Sequence, residues 1–258
     1  MELIKKVARD LLESKYAIAF TGAGISTESG IPDFRGPFGI WKRDPEAERR
    51  AYKVYTKFLK DPREYWIEVQ KSTIYPIIDK ALPNSAHRAL SELEELGKIM
   101  CIITQNIDGL HHKAGSKNVI EFHGSVSKLR CICCGSRFDK KEFINLIESG
   151  RVPKCKICEN FLKLDVVHFN EPIPPDIYIR SFNEVMRCDL MLVCGTSAVV
   201  YPAAELPRIA KRYGAKVIEI NLEETTLTFE GVSDYIIKGR VGEILPKIAE
   251  EVKRSKKE

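Results

Sequence analysis

Short apolar runs recur along the chain, each beside a turn or polar signal: Ala17–Phe20, Met100–Thr104, Val166–Phe169, Leu190–Cys194, Val217–Ile220 and Tyr235–Ile237. Runs this short, with little polar alternation, predict strands covered on both faces. Helical spacing fills several of the intervals. It begins with Leu3, Ile4, Val7, Ala8, Leu11 and Leu12, then Ala86, Ala89, Leu90, Leu93 and Leu96 stopped by Gly97. Ala203 to Tyr213, stopped by Gly214, and Ile244, Leu245, Ile248, Ala249 and Val252 complete the set. Strand alternating with helix predicts an α/β fold built on a doubly wound parallel sheet. Two stretches break the rhythm: an aromatic, mainly helical one over 38–82 and a cysteine-bearing one over 125–165.

The chain has 258 residues, enough for one large core and a smaller appended module. No apolar run approaches the roughly 18 residues that span a bilayer, and the first residues read as an amphipathic helix rather than a signal peptide. Eight cysteines without an export signal lead to the expectation of a reducing, cytoplasmic setting. Of the net charge of +5, much sits in the tail, where Lys253, Arg254, Lys256 and Lys257 face only Glu258. Such a tail is ordinarily solvated. Residues 125–165 carry nine Lys/Arg against five Asp/Glu.

Thr21 to Gly36 follows the first predicted strand and reads as a nucleotide-binding loop. Gly22 and Gly24 permit positive φ and remove Cβ atoms that would hold a pyrophosphate away from backbone N–H groups. The third glycine of the usual dinucleotide fingerprint is replaced by Thr27, so a tight turn without ligand fits this pair as well. Asp33 and Arg35 flank Phe34 in a loop with Pro32, Gly36, Pro37 and Gly39, which adds chemistry to that turn.

Cys131 and Cys134, then Cys155 and Cys158, form two Cys-x-x-Cys knuckles twenty residues apart. Four thiolates so spaced predict a closed tetrahedral zinc shell, structural because it leaves no position for substrate. Cys133 is a competing ligand, whereas Cys101, Cys188 and Cys194 lie in or beside apolar runs and read as core residues. After Met100–Thr104 comes Gln105-Asn106-Ile107-Asp108-Gly109-Leu110-His111, polar groups where open α/β sheets bind ligands. His123 stands just before the cysteine-bearing stretch, at the junction where a cleft is expected.

The chain resembles the sirtuin family, the NAD-dependent protein lysine deacylases, over nearly its whole length. The resemblance is carried in order by Gly22-Ala23-Gly24-Ile25-Ser26 with Gly30-Ile31-Pro32-Asp33-Phe34-Arg35-Gly36, Thr104 to Asp108, Phe122-His123-Gly124 and the four cysteines. Val166-Val167-His168-Phe169-Asn170-Glu171-Pro172, Gly195-Thr196-Ser197 and Asn221-Leu222-Glu223 follow.

It implies a Rossmann-like domain over 1–37, 83–124 and 166–258, and a small domain made of the helical insertion 38–82 and the zinc module 125–165. It also implies NAD as cosubstrate, one structural zinc, and acylated lysine proteins or peptides as partners, chromatin proteins among them, without direct nucleic-acid or membrane binding. Gly22, Ala23, Gly24, Asp33, Phe34, Arg35, Trp41, Gln105, Ile107, Gly195, Thr196, Ser197, Asn221, Leu222, Glu223 and Arg240 would bind the cofactor. Asn106 and Asp108 would hold its nicotinamide carboxamide and ribose, and His123 would act as general base on a ribose hydroxyl. Val167, His168, Phe169, Asn170 and Glu171 would form a peptide-binding strand.

Two departures stand out. Asn170 occupies a family glycine position and is the next most tolerant residue of positive φ. The Tyr-x-x-Arg pair of the branch that removes acidic acyl groups is absent, which favours neutral acyl groups. ADP-ribosyl transfer uses the same bond cleavage. A zinc-ribbon nucleic-acid scaffold leaves Asn106, Asp108 and His123 unexplained, and a hydride-transfer enzyme would make NADH rather than free nicotinamide.

Overall fold

The structure, a computed structural model, describes residues 2–36 and 39–256. Pro37 of the predicted cofactor loop, Phe38, where the predicted helical insertion starts, and Lys257 and Glu258 of the tail lie outside the described residues. Nine strands occur among them: β1 (Ala17–Thr21), β2 (Cys101–Thr104), β3 (Val119–Glu121), β4 (Gly124–Cys131), β5 (Arg137–Asp139), β6 (Leu162–Val166), β7 (Leu190–Cys194), β8 (Lys216–Asn221) and β9 (Tyr235–Lys238). Six of them form a parallel sheet in the order β3-β2-β1-β7-β8-β9, and β5-β4-β6 form a small antiparallel sheet. The large sheet thus winds out in both directions from β1, the Rossmann order, with a switch point between β1 and β7.

Burial explains why these strands read as apolar runs. On β1, Ala17 and Ala19 face one layer of helices while Ile18 and Phe20 face the other, and every residue from Ala17 to Thr21 is buried. The first layer comprises the helices Glu2–Glu13, Ser85–Glu95 and Val241–Ser255, and the second includes Pro175–Arg187 and Glu205–Arg212. Cys101, Cys188 and Cys194 are buried there as packing residues. Pro246 lies inside the last helix, where it cannot donate to the Gly242 carbonyl four residues earlier. The Ser85 hydroxyl donates to that oxygen instead, at 2.6 Å, and ties two helices together.

The expectation for Val166–Phe169 is corrected. The strand there is β6, which ends at Val166 and belongs to the small sheet, while the following residues turn. The apolar run crosses the strand's end, so hydrophobicity alone placed it too late. The sixth strand of the large sheet is β3, a three-residue edge strand.

A third apolar cluster joins the two irregular stretches. Phe58, Tyr65, Trp66 and Ile78 from three short helices pack against Val126, Leu129, Leu162 and Leu164 of the small sheet and against Cys131 and Cys155. Trp66 donates its indole N–H to the Leu162 carbonyl at 2.9 Å. Two helices of this stretch, Pro45–Ala51 and Pro62–Lys71, start where aspartate precedes proline: Asp44 accepts from the Ala47 N–H, and Asp61 from those of Arg63 and Glu64. Proline needs no partner at the first helical position, and the carboxylate caps the donors that follow.

Candidate active site

The loops after β1, β2, β7 and β8 meet at the carboxyl edge of the large sheet, around its switch point. Gly22 and Gly24 sit in the first of them, and neither takes positive φ, contrary to the sequence expectation: Gly22 is extended at φ −135° and Gly24 is absent from the left-handed region. Their missing side chains serve loop packing. A Cβ at Gly22 would lie 2.6 Å from Thr196 Cβ, and one at Gly24 would lie 2.8 Å from the Gly195 carbonyl oxygen. Ala23 opens a short 3₁₀ helix that ends at Gly30.

Ser26, buried on that 3₁₀ helix, organises the loop after β2. Its hydroxyl donates to Asp108 Oδ2 at 2.7 Å and accepts from the Asn106 amide at 3.0 Å, while Asn106 also donates to the Gly22 carbonyl at 3.1 Å. The Leu110 N–H binds the other oxygen of Asp108 at 2.9 Å. Burial raises the Asp108 carboxyl above its ordinary range, and the Leu110 and Ser26 donors oppose the rise. Gln105 donates to Thr196 Oγ1 at 2.9 Å, which joins the loops after β2 and β7. Ile107 fixes the crossing to the small sheet, its carbonyl accepting from the Val126 N–H at 3.0 Å.

His123 lies between β3 and β4, with its Nδ1 3.0 Å from the Gln105 carbonyl. A carbonyl only accepts, so Nδ1 carries the proton and the lone pair rests on Nε2. Burial lowers the His123 pKa below the usual histidine value, and the Gln105 contact works against that shift. A neutral imidazole with one oriented lone pair is what a general base requires.

Asp33 accepts from the Gly36 N–H at 3.0 Å, a local turn bond. Phe34, Trp41 and Phe169 form a row, with ring centroids 5.2 Å and 5.9 Å apart, and Arg35 lies over Trp41 at 4.2 Å. Tyr52 stacks on Phe169 at 4.4 Å. The loop carrying Phe34 and the 167–171 segment are therefore joined by aromatic contacts through Trp41. Asn170 does adopt positive φ, at 65°, and the Val167 N–H donates to the His123 carbonyl at 2.8 Å. The half-buried His168 ring stands 3.3 Å from the Tyr65 hydroxyl. The Glu171 carboxylate is turned inward, towards Arg130 and Lys163.

On the far side of the switch point, Gly195 and Thr196 follow β7, Ser197 and Leu222 are exposed, and Asn221 Nδ2 reaches the Thr196 carbonyl at 3.5 Å. Glu219, fully buried on β8, receives the hydroxyls of Thr225, Thr228 and Ser233, which anchors the Leu222–Glu224 loop from beneath. Glu223 is exposed just after β8, and Arg240 is 3.9 Å from Glu243 at the start of the last helix. Sequence reasoning did not single out Ser26 and His87 as site residues. Ser26 was signalled only by its place in the glycine loop, and His87, 3.5 Å from Ser26, reads as part of a helix cap with Asn84.

The four cysteines of the knuckles bring their sulfurs within 4.8 Å of one another, with Cys131 to Cys158 at 3.4 Å and Cys134 to Cys155 at 3.6 Å. Tetrahedral zinc with bonds of about 2.3 Å sets sulfurs about 3.8 Å apart, so the cluster fits that metal. Cys133 is exposed and outside the group. A separate cleft of about 250 Å³ opens behind His123, lined by Glu121, Lys128, Arg137, Asp165, Asp176 and Arg180. Most of its charges pair among themselves.

The family model of the Sir2 family matches residues 22–202, more than half of the chain. The chain belongs to the Sir2 family. Among its curated Sir2 relatives is NAD-dependent protein deacylase 2 of Archaeoglobus fulgidus, 45% identical over 260 residues that cover 99% of this chain and 98% of that one. A Sir2 homolog solved as an NAD complex is 42% identical with a TM-score of 0.79, covering 97% of this chain and 94% of its own. A Sir2 variant solved with a deacetylated p53 peptide and 3′-O-acetyl ADP ribose is 39% identical with a TM-score of 0.81, covering 96% and 98%.

Proposed function

We propose that this protein is an NAD-dependent protein lysine deacylase that releases nicotinamide, free lysine and O-acyl-ADP-ribose. The observation that carries the reading is the His123 ring, held by the Gln105 carbonyl with Nε2 free beside the Asn106 and Asp108 loop. NAD suits the crevice because it supplies an electrophilic sugar whose nicotinamide departs, and the donor set is polar and preoriented around the switch point.

In this reading Asn106, whose amide nitrogen is occupied by Gly22 and Ser26, keeps its carbonyl oxygen for the nicotinamide carboxamide. Asp108, fixed by Ser26 and Leu110, receives the carboxamide or ribose from below. Asp33, Phe34, Arg35 and Trp41 close over the reacting sugar and exclude water. The acyl oxygen of the substrate attacks the anomeric carbon, and His123 Nε2 takes the proton of a ribose hydroxyl. Thr196, Ser197, Asn221, Glu223 and Arg240 belong to the adenosine side, and Val167–Asn170 pair with the substrate backbone, a mode that tolerates many sequences and so admits chromatin proteins. Zinc in the four-thiolate shell, the small domain formed by 38–82 with 125–165, and a reducing cytoplasmic location are parts of the same proposal. The shared third apolar cluster supports that domain.

The test incubates the protein with NAD and an acetyl-lysine peptide or its succinyl counterpart, and weighs every product. Nicotinamide and O-acetyl-ADP-ribose in equal amounts are expected. NADH, or a peptide gaining ADP-ribose while keeping its acetyl group, would replace this reading with oxidoreduction or ADP-ribosyl transfer. Catalytic efficiency on the acetyl peptide should exceed that on the succinyl peptide at least about tenfold, or about 1.4 kcal/mol. Without a Tyr-x-x-Arg pair the succinyl carboxylate loses hydration for no evident partner. Equal succinyl turnover would mean that another cation lines the acyl site, with Lys71, exposed at the end of the helix Pro62–Lys71, tested first.

The pH profile has a defined sign. The base is the neutral imidazole, and burial favours neutrality, so turnover should persist as pH falls and be lost only below the ordinary histidine value of 6.5. Single-turnover deacylation measured against pH reads the midpoint directly. A midpoint above about 7 would contradict the role assigned to His123.

A further inference from the structure

We propose that Lys163 is a positioning residue for the acyl-lysine substrate: its buried ammonium holds together the strand and the turn that present the peptide to His123. The proposal rests on the deacylase reading.

Lys163 is completely buried on β6. Its Nζ donates to the carbonyls of Leu164 at 2.9 Å and Val166 at 2.6 Å, and lies 3.1 Å from Glu171 Oε2. An ammonium has three donors, and all three are used. The Leu164 carbonyl falls where β4 and β6 slip in register, between the pairs Ser125↔Asp165 and Leu129↔Leu164, and the Val166 carbonyl lies at the end of β6. The side chain thus supplies one donor at the irregularity of the ladder and another at the strand's end.

Glu171 is the other half of the clamp. One oxygen binds Arg130, and the other accepts the His168 N–H at 3.0 Å besides facing Lys163. The carboxylate is therefore fully employed inside, and it acts on substrate only through the turn it closes. Arg130 also meets Asp165 at 2.9 Å, as an ion contact rather than an aligned hydrogen bond, and Arg137 holds the second oxygen of Asp165 at 2.9 Å. Immediately after the end of that strand comes Val167, whose N–H binds the His123 carbonyl. Lys163 is thus bonded to the strand that meets His123 and to the carboxylate that shapes the turn. Its hydrogen bonds and ion contact stay within β6 and the Glu171 turn, outside the loops after β1, β2, β7 and β8, where NAD is assigned.

The cluster carries its own pH signature. The charged groups facing Lys163 are Glu171 and Asp165, with Arg130 across them, and the titratable rings near Glu171 are His168, Tyr55 and Tyr65. Burial takes Lys163 down to about 8, opposed by Glu171, and takes His168 down to about 3. Both phenols are raised by burial. Between about pH 7 and about pH 9.5, Lys163 alone among these four changes charge.

The experiment measures KM for an acetyl-lysine peptide and for NAD across that range in the native protein. The peptide KM should rise at least about fivefold as pH passes 8, with the NAD KM within about twofold. Lys163→Met should raise the peptide KM about tenfold or more at pH 7.5 and abolish its pH dependence, and Lys163→Arg, which keeps the cation, should return it to within about threefold of native. Peptide affinity without NAD, followed by fluorescence anisotropy, should move with KM. A flat peptide KM in the native protein, or peptide and NAD constants rising together in a folded variant, would overturn the proposal. Should Lys163→Met not fold, the native profile and Lys163→Arg decide. Failure of the deacylase reading is distinct, since native protein would then release no deacylated peptide at any pH.

Discussion

Replacing His123 by alanine should lower deacylation turnover by about a thousandfold, the scale of a positioned general base, while NAD affinity and thermal stability stay near native. The ring makes one hydrogen bond, to the Gln105 carbonyl, whose net loss costs about 1 kcal/mol. Its backbone contact to Val167 does not depend on the side chain. Asn106 and Asp108 are held by Ser26, Gly22 and Leu110, none of which touches His123, so the cofactor side of the crevice keeps its geometry. Rapid-quench product analysis, NAD calorimetry and a melting curve on one preparation separate these effects. Turnover within tenfold of native would remove His123 from the mechanism.

Zinc removal should be as damaging through a different route. Structural zinc supplies roughly 10 kcal/mol or more of folding free energy, comparable to the whole stability of a domain. Cys131 and Cys155 are also members of the third apolar cluster, beside Tyr65, Trp66, Leu162 and Leu164. Loss of the metal therefore reaches the helices Val54–Lys60 and Pro62–Lys71 as well as the small sheet. Cys155→Ala, or chelation under mild denaturant, should abolish activity and raise amide exchange in those helices, with the large parallel sheet protected. Metal analysis should give one zinc per active chain. Fully active protein without zinc would refute the assignment.

The large sheet was legible in the sequence because its strands are buried on both faces: a run such as Leu190–Cys194 leaves no polar position to blur the signal. β3 was not, since three residues at a sheet edge carry too little pattern. The Val166–Phe169 run misled for the opposite reason, its apolar residues serving a strand end and an aromatic row in turn. Motifs singled out His123, Asn106, Asp108 and the four cysteines, and the structure brings Asn106 and Asp108 together around Ser26 and the four sulfurs into one cluster. What they could not convey was orientation. That Glu171 points inward and that Lys163 is buried follow from contacts between residues distant in sequence, Arg130 with Glu171 among them, which no local spacing encodes.

The glycines beneath the crevice have an evolutionary consequence. Gly195 adopts φ 60°, and a Cβ there would lie 2.5 Å from the Ile25 nitrogen, just as one at Gly24 would strike Gly195. Two main chains are pressed together with no side chain between them, so the floor of the crevice has nothing that single substitutions can remodel. Divergence in what the enzyme accepts must then be written in the walls, in the segments around Phe34, Trp41 and Asn170, while the floor stays common to descendants that differ in every other preference.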